Sequence, residues 1–477
     1  MNEEQNKPTV NPRRRRRTKA EIFKENYLPA ILIVVTVLLC TIFIITGIIK
    51  AGIARKAYEE EVAASIAAQE ELKRQQDELA ATLLAQAEEQ AKQYDYNAAI
   101  DTIDSFTGDI TAYPNLLDKR AEYENLKSKL VLWNDPAQVV NLSFQILIAD
   151  SNRAYRDRTY SGAYNRNFVT ISEFPRILDS LYANNYMLVS LDDVYEAKED
   201  ANGNVTYSAK DLYLPAGKKP LIITQTQINY YFYMTDGNGD KIPDAKGAGF
   251  ASKLIVDSNG NLTNTYVDAS GNELQGAYDM VPLLEQFIQA HPDFSYRGAR
   301  AVLAVTGSDG IFGYRTYNGA AATFGQDAYD AEVEGAKNLV AVLRKAGYEI
   351  ACYTYGNKGY GYLSLNDIRS DLKKWKDEVA PILGEVRTFV FAQNSDIGSR
   401  NGPYSGQSFN ELKSNGFEIF LGFADSTGAP WSYVGEQYVR MGRIMVSGSN
   451  IAHNSAWFDG IFDASKVLDS NRGSIPK

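Results

Sequence analysis

The chain has 477 residues, 44% of them apolar and 23% charged, with a formal net charge of −10. A composition of this kind is globular, and the length provides material for more than one folded unit. Cys40 and Cys352 are the only cysteines, which excludes a disulfide-stapled scaffold, and the acidic balance argues against nucleic acid as a partner.

Residues 1–27 form a basic tail in which Lys7, Arg13 to Arg17, Lys19 and Lys24 stand against four glutamates. From Leu28 to Ile49 run 22 residues without a charge, enough to cross a hydrocarbon layer of roughly 30 Å as a helix, so 28–50 reads as one transmembrane span. The run is longer than the apolar core of a cleaved signal peptide, and no clean small-x-small site follows it. The arginine cluster places the N-terminus in the cytoplasm by the positive-inside rule and everything after residue 50 outside the cell membrane. Taking the tail's +4 from the total leaves about −14 for the rest, which is unsuited to anionic lipid or nucleic acid.

Residues 51–93 are rich in Ala, Glu, Gln and Lys and lack proline, a composition of strong helix formers. Val62, Ile66, Leu72, Leu79 and Leu83 are spaced too irregularly for a heptad, so the segment is expected to be a solvated stalk, with self-association through it as the alternative. Residues 94–134 read as two short amphipathic helices around a Thr/Gly/Asp and Tyr/Pro break, a tetratricopeptide-like hairpin that cannot form a solenoid alone. We expect it to pack as an adaptor between stalk and head.

From residue 135 to 477, strand-like apolar runs alternate with helical patterns. The strand candidates are 139–149, 187–191, 220–224, 301–307, 349–354, 387–392 and 418–423. This alternation predicts parallel βαβ units, and about seven strands in one domain favour an α/β barrel with functional residues at the C-terminal strand ends.

The segments LIITQTQINYY (221–231), YDMVPLLEQFIQAHPDFSYRGAR (278–300), LRKAGYEIACYTYGN (343–357), FVFAQNSDIG (389–398) and WFDGIFDASKVLDSNR (457–472) resemble the polysaccharide deacetylase, or NodB homology, domain of carbohydrate esterase family 4. The likeness is to its membrane-anchored Gram-positive form. The resemblance implies a distorted (β/α) barrel, with an Asp pair after one strand and His-x-x-x-His after a later one holding a divalent metal. In this chain Thr226 and Gln227 stand at the Asp pair, and Tyr353 and Asn357 at the two histidines. Ala392 and Gln393 stand where the family has Pro-Tyr, and Gln145 stands where some members carry a histidine. A catalytic Zn²⁺ needs imidazole, thiolate or carboxylate ligands and an open water position, which these residues do not supply.

Other chemistry is thinly represented. The two histidines, His291 and His453, fall outside the family motifs; His291 reads as a helix-end residue and His453 as a loop residue. No Gly-x-Ser-x-Gly elbow is present for a serine triad. Asp309, Asp396 and Asp425 lie near strand ends, where paired carboxylates could serve glycoside hydrolysis, although solvated loop acids are the simpler reading. Asp236, Asn238, Asp240 and Asp244 occupy positions 1, 3, 5 and 9 of a Ca²⁺-type loop, but Lys241 and Gly247 stand where an EF-hand has Gly and Glu, so an Asx-rich turn is expected. The 31 tyrosines suggest a sugar-binding surface: Tyr230, Tyr231, Tyr355, Tyr360, Tyr362 and Trp431, with Asp396, are the candidate ligand contacts, and Tyr355, Tyr360 and Tyr362 sit in a Gly-rich stretch expected to be exposed.

The expectation is a single-pass cell-surface protein whose extracellular head has lost the family's metal and catalysis and binds cell-wall polysaccharide or peptidoglycan. An active deacetylase with a rearranged site and a structural component of an envelope complex are the alternatives. No cofactor is expected, apart from Ca²⁺ at the Asp236 loop if that loop binds one.

Overall fold

The computed structural model describes residues 17–203 and 205–476, so the arginine run from Arg13 to Arg16 lies outside the described residues. It divides into two compact units, residues 1–82 and 83–477. The first unit is helical. After a short helix over Lys19–Asn26, α1 (Leu28–Lys92) runs unbroken for 65 residues and is long and apolar enough in its first part to cross a membrane. Within the apolar part the hydroxyls of Thr36 and Thr41 donate back to Leu32 O at 2.8 Å and Val37 O at 2.7 Å, satisfying themselves without water. Further along, Arg74 pairs with Glu71 and Glu78, each at 2.6 Å, one turn away on either side.

The second unit opens with two helices, α2 (Tyr96–Asp104), capped by Asp95, and α3 (Pro114–Lys127), which begins on a proline. Ile100 and Ile103 are buried, and Arg120 crosses from α3 to Asp104 at 2.6 and 3.0 Å.

The rest is a closed barrel of seven parallel strands. These are β1 (Val140–Phe144), β2 (Lys219–Thr226), β3 (Val302–Val305), β4 (Glu349–Cys352), β5 (Thr388–Val390), β6 (Ile419–Phe423) and β7 (Val439–Met445), and each pairs with its successor in the chain. The ring closes where Ile444 and Met445 of β7 register with Leu142 and Ser143 of β1. Two expectations are corrected here. Residues 186–188 form a strand outside the ring, paired to the first residues of β2 and bridged at Leu188 to Ser295, and the seventh barrel strand is β7, which carries Arg440 and Arg443 and so lacks the apolar run that marks the others.

Strand alternation sorts the side chains between two cores. Ile222, Val302, Ala304, Ala351, Val390, Ala392, Ile419, Leu421, Val439 and Met441 fill the lumen, while a larger set packs the outer strand faces against the helices. In that shell α4 (Glu173–Ala183) buries Phe174, Ile177, Leu178 and Leu181 at helical spacing; α5 (Met280–Ala290) and α6 (Gln326–Ala346) do likewise, and α6 ends on Gly347 at φ 100°. Past β2, an antiparallel sheet of residues 253–256, 262–267 and 273–276 turns twice through the same device. Asp257 and Asp268 each accept from the backbone N–H groups two and four residues on, all at 2.8 Å. The D-x-x-G-N repeats at 257–261 and 268–272 signal these turns in the sequence.

Two buried carboxylates tie the shell to the strands. Glu173 meets Arg472 at 2.5 and 2.7 Å with both side chains sealed from water, and Arg472 also donates to Asn165 O and Phe168 O, which clamps the C-terminal segment to the barrel. Asp279 accepts from Leu147 N and Gln225 Nε2, each at 2.8 Å, and from the Tyr230 hydroxyl at 2.6 Å. Burial pushes its carboxyl up to about 6, against the pull of those donors.

Two outcomes follow from these groups. Glu173→Gln leaves the Arg472 cation buried without its partner and is expected to cost about 3–5 kcal/mol in the denaturant-induced transition followed by tryptophan fluorescence. Because the folded-state pKa of Asp279 lies above its unfolded value of 3.8, the folded state holds the extra proton between about pH 4 and 6. Stability should therefore fall by roughly 3 kcal/mol as pH rises through that window, and Asp279→Asn should flatten that part of the stability profile against pH.

Candidate functional site

The C-terminal strand ends bring together the positions singled out from the sequence. Thr226 closes β2, fully buried, with its hydroxyl donating to Phe144 O at 3.2 Å. Gln227 follows at φ 61°, and its Oε1 accepts from Asn357 Nδ2 at 3.4 Å. Tyr353, one residue past β4, is 4% exposed, and its phenol lies against the side chains of Thr226 and Gln227 and the backbone of Gln393. Gln393 donates from Nε2 to Asn357 O at 2.6 Å, while Asn357 Oδ1 is buried with no partner among the described residues. Ala392 faces the lumen below them. Gln145, just past β1, is half-buried.

The backbone here is unusual. Gln227, Asp309, Thr354, Asn357, Gln393 and Asn394, on four strand-end loops, all have φ between 51° and 61°, a region that costs non-glycine residues, and a β-branched threonine most. Side chains hold these loops in place. Asn229 donates to Thr306 O at 2.8 Å and accepts from Thr306 N at 3.1 Å, and Asp309 Oδ2 accepts from Phe232 N at 3.1 Å. Asp371, 1% exposed, accepts from Tyr355 N at 2.8 Å, Gly356 N at 3.1 Å and the Tyr360 hydroxyl at 2.9 Å, so one carboxylate shapes the whole loop that presents Asn357.

Arg443 supplies the charge. It is 1% exposed, on the lumen face of β7, and donates from Nε to Gly422 O at 3.0 Å, from Nη1 to Ser143 Oγ at 2.9 Å and from Nη2 to Phe391 O at 2.7 Å. Among the described residues no carboxylate lies within 4.0 Å of it. Burial lowers its pKa to about 10, with Tyr353 and Asp396 favouring the cation; burial raises the Tyr353 phenol, with Arg443 opposing. These donors do not fit Zn²⁺: the mouth offers amides, a hydroxyl and a protonated phenol, and a guanidinium stands beneath them.

The candidate sugar contacts separate. Tyr230 is fully buried with its hydroxyl on Asp279, and Tyr360 is 1% exposed with its hydroxyl on Asp371, which corrects the expectation that the Gly-rich stretch leaves it open. Tyr231 is buried and hydrogen-bonds Thr306 Oγ1 at 3.0 Å; Trp431 is also buried, its indole N–H donating to Phe423 O at 2.9 Å. Tyr355 is half-buried and donates to Glu378 at 2.6 Å. Tyr362 is 81% exposed and shares with Asp396, Phe423, Arg400 and an edge of Trp431 a pocket of about 280 Å³.

Asp396 is not a solvated loop acid. It accepts from the Tyr404 hydroxyl at 2.6 Å and from buried Arg440 at 3.1 Å. Asp425 pairs with Arg400 instead. At the Asp236 loop the oxygens face the chain itself: Asp236 accepts from Asn238 N, Gly239 N and Lys241 N, Asn238 from Asp240 N, Asp240 from Ile242 N, and Asp244 from Gly237 N, Lys246 N and Gly247 N. His291 caps α5 against Tyr182 and Phe287, and His453 Nε2 contacts Ile475 O at 3.0 Å. The sequence does not mark Arg440, Arg443, Tyr404 or Asp371 as site residues. The alternation of Val439, Met441 and Arg443 was the available signal for the strand, but nothing local marks a buried arginine.

The class defined by this geometry is a seven-stranded parallel α/β barrel with a neutral, amide-lined mouth over a buried cation, in a chain that also carries a helix able to cross a membrane. No family model matches the chain, and no curated protein matches it. Among solved structures, the Streptococcus pyogenes deacetylase PplD in complex with acetate is similar at 13% identity and a TM-score of 0.35, over 70% of this chain and 100% of that one.

Asp371→Ala leaves three backbone or hydroxyl donors without their acceptor and is expected to destabilise the head by about 2–4 kcal/mol. Hydrogen exchange should speed up at residues 353–362 while the barrel strands away from that loop keep their protection.

Proposed function

We propose that the barrel mouth is a recognition site for a neutral, hydroxyl- and amide-bearing ligand, a cell-wall glycan, and that the chain does not hydrolyse it. The observation that carries the reading is the convergence of Gln227, Asn357 and Gln393 on left-handed backbone around a buried, unpartnered Asn357 Oδ1. A buried acceptor without a donor costs free energy, and a sugar hydroxyl or acetamido N–H would supply the missing bond. Tyr362, exposed beside the same mouth, offers an aromatic face for a sugar ring, and Asp396 an acceptor for its hydroxyls.

Water activation is the step for which the mouth lacks groups. Lowering the pKa of water from about 15.7 to near 7 takes a metal ion, and a positioned base contributes roughly 10²–10⁴-fold. Thr226 is no base, and Arg443 beneath Tyr353 opposes a second cation. The same reading places the N-terminal basic tail in the cytoplasm and the barrel outside, anchored by one helix.

The test uses the full-length chain in lipid nanodiscs, with oligomers of N-acetylglucosamine and with intact peptidoglycan. Binding is expected to be unaffected by EDTA. Asn357→Ala and Tyr362→Ala should each weaken it by about tenfold, the loss of one buried hydrogen bond or one stacking contact. Acetate release that survives repurification, or binding indifferent to both substitutions, would refute the proposal.

A further inference from the structure

A second cavity, lined by residues other than those of the mouth, lies between α6 and the three-stranded sheet. Its volume is about 440 Å³, within the range of small-molecule sites. One wall is apolar, built from Ile242, Phe324, Ala328 and Tyr329; another carries Arg315.

Arg315 is 9% exposed, and its guanidinium stacks on the Phe232 ring at 4.2 Å. Nη1 donates to Tyr230 O at 3.0 Å and Asp309 O at 3.1 Å, while Nε and Nη2 donate to none of the described residues. Those two N–H groups form the side-on edge of a guanidinium, two parallel donors whose spacing matches the two oxygens of a carboxylate. No carboxylate of the described residues comes within 4.0 Å of the cation. The two acids that act on the cation are already committed, Asp309 with Oδ2 on Phe232 N at 3.1 Å and Glu332 with Oε1 on Lys253 Nζ at 2.6 Å and Oε2 on Arg315 N at 2.7 Å.

Two further groups wait on the same side. Lys241, which lines the cavity, has its Nζ 5.6 Å from both the Phe232 and Tyr317 rings, and among the described residues neither it nor the buried Tyr317 hydroxyl behind the lining has an ion-pair or hydrogen-bond partner. A guanidinium that is largely buried and keeps one donor edge on a cavity favours an anionic acceptor there. An anion with an apolar body would satisfy the donor edge and lie against the apolar wall.

We propose that this cavity binds a small organic monocarboxylate, its carboxylate held side-on by Arg315 Nε and Nη2 and its apolar part laid against Phe324, Ala328 and Tyr329. The ligand class differs from that of the mouth, and the proposal stands whether or not the mouth binds glycan.

Calorimetric titration of the full-length chain in nanodiscs with phenylacetate, benzoate and hexanoate tests it, with empty nanodiscs and phenylacetamide as controls. At least one carboxylate is expected to bind, and phenylacetamide at least about tenfold more weakly, since it cannot accept two charge-assisted bonds. Arg315→Lys keeps the charge but loses the fork, and should also cost at least about tenfold. Ala328→Trp, on the exposed face of α6, should fill the cavity and abolish binding while leaving the melting temperature unchanged, which keeps the test decisive if Arg315→Lys unfolds. Tyr362→Ala should have no effect. The proposal fails if none of the three carboxylates binds at about 5 mM, a concentration that would detect even millimolar affinity, if the amide binds as tightly as the acid, or if a folded Ala328→Trp protein retains binding.

Discussion

A closed barrel has no edges, so everything inside its ring must be satisfied by what the seven strands bring, and here β7 brings a guanidinium. Arg443 bridges β6 through Gly422 O, β1 through Ser143 Oγ and the end of β5 through Phe391 O. Three strands distant in sequence are thus tied by one side chain at the top of the lumen. The interaction resolves a packing problem, because a polar upper layer cannot be filled by the valines and alanines that serve lower down. It also sets the electrostatics of the mouth, since the charge beneath Tyr353 is positive and fixed.

The loops above inherit that constraint. With a cation already in the lumen, the strand ends carry neutral amides and hydroxyls, and the acids of this region are drawn elsewhere. Asp371 is spent on backbone N–H groups, Asp309 on Phe232 N, and Asp396 on Tyr404 and Arg440. Arg440 and Arg443, three residues apart on one strand, point to opposite faces, so one organises the lumen and the other the rim pocket. The left-handed residues at Gln227, Thr354, Asn357 and Gln393 persist because these buried acceptors hold their loops.

Elsewhere the head relies on carboxylates that face inward to bind chain segments together. Glu173 holds the C-terminal segment through Arg472, and Asp279 gathers the ends of β1 and β2 with Tyr230. In each case one acidic side chain satisfies several donors that burial would otherwise leave unpaired. That economy explains how a chain so rich in tyrosine buries many of its phenols. The hydroxyls of Tyr230, Tyr355, Tyr360 and Tyr404 have carboxylate acceptors within the fold, whereas Tyr362 stays exposed.

What the sequence by itself determined is local in origin. The apolar run from Leu28 to Ile49 defines a helix able to cross a membrane, because length and lack of charge suffice for that, and six of the barrel strands announce themselves as short apolar runs between amphipathic helices. Thr226, Gln227, Tyr353 and Asn357 are recognisable in the sequence as neutral residues at strand ends. Tertiary structure alone decided the rest. β7 was illegible because arginines mark surface in a one-dimensional reading, and only barrel closure makes Arg440 and Arg443 interior. Tyr230 and Tyr360 lie in aromatic clusters, which serve cores and surfaces alike, and the choice between them depends on which acceptor lies across the fold. The pairings that settled it, Tyr230 with Asp279, Tyr360 with Asp371 and Arg443 with Phe391 and Ser143, join residues from 11 to 300 positions apart. Contacts that depend on chain closure over such spans leave no periodic trace in the sequence.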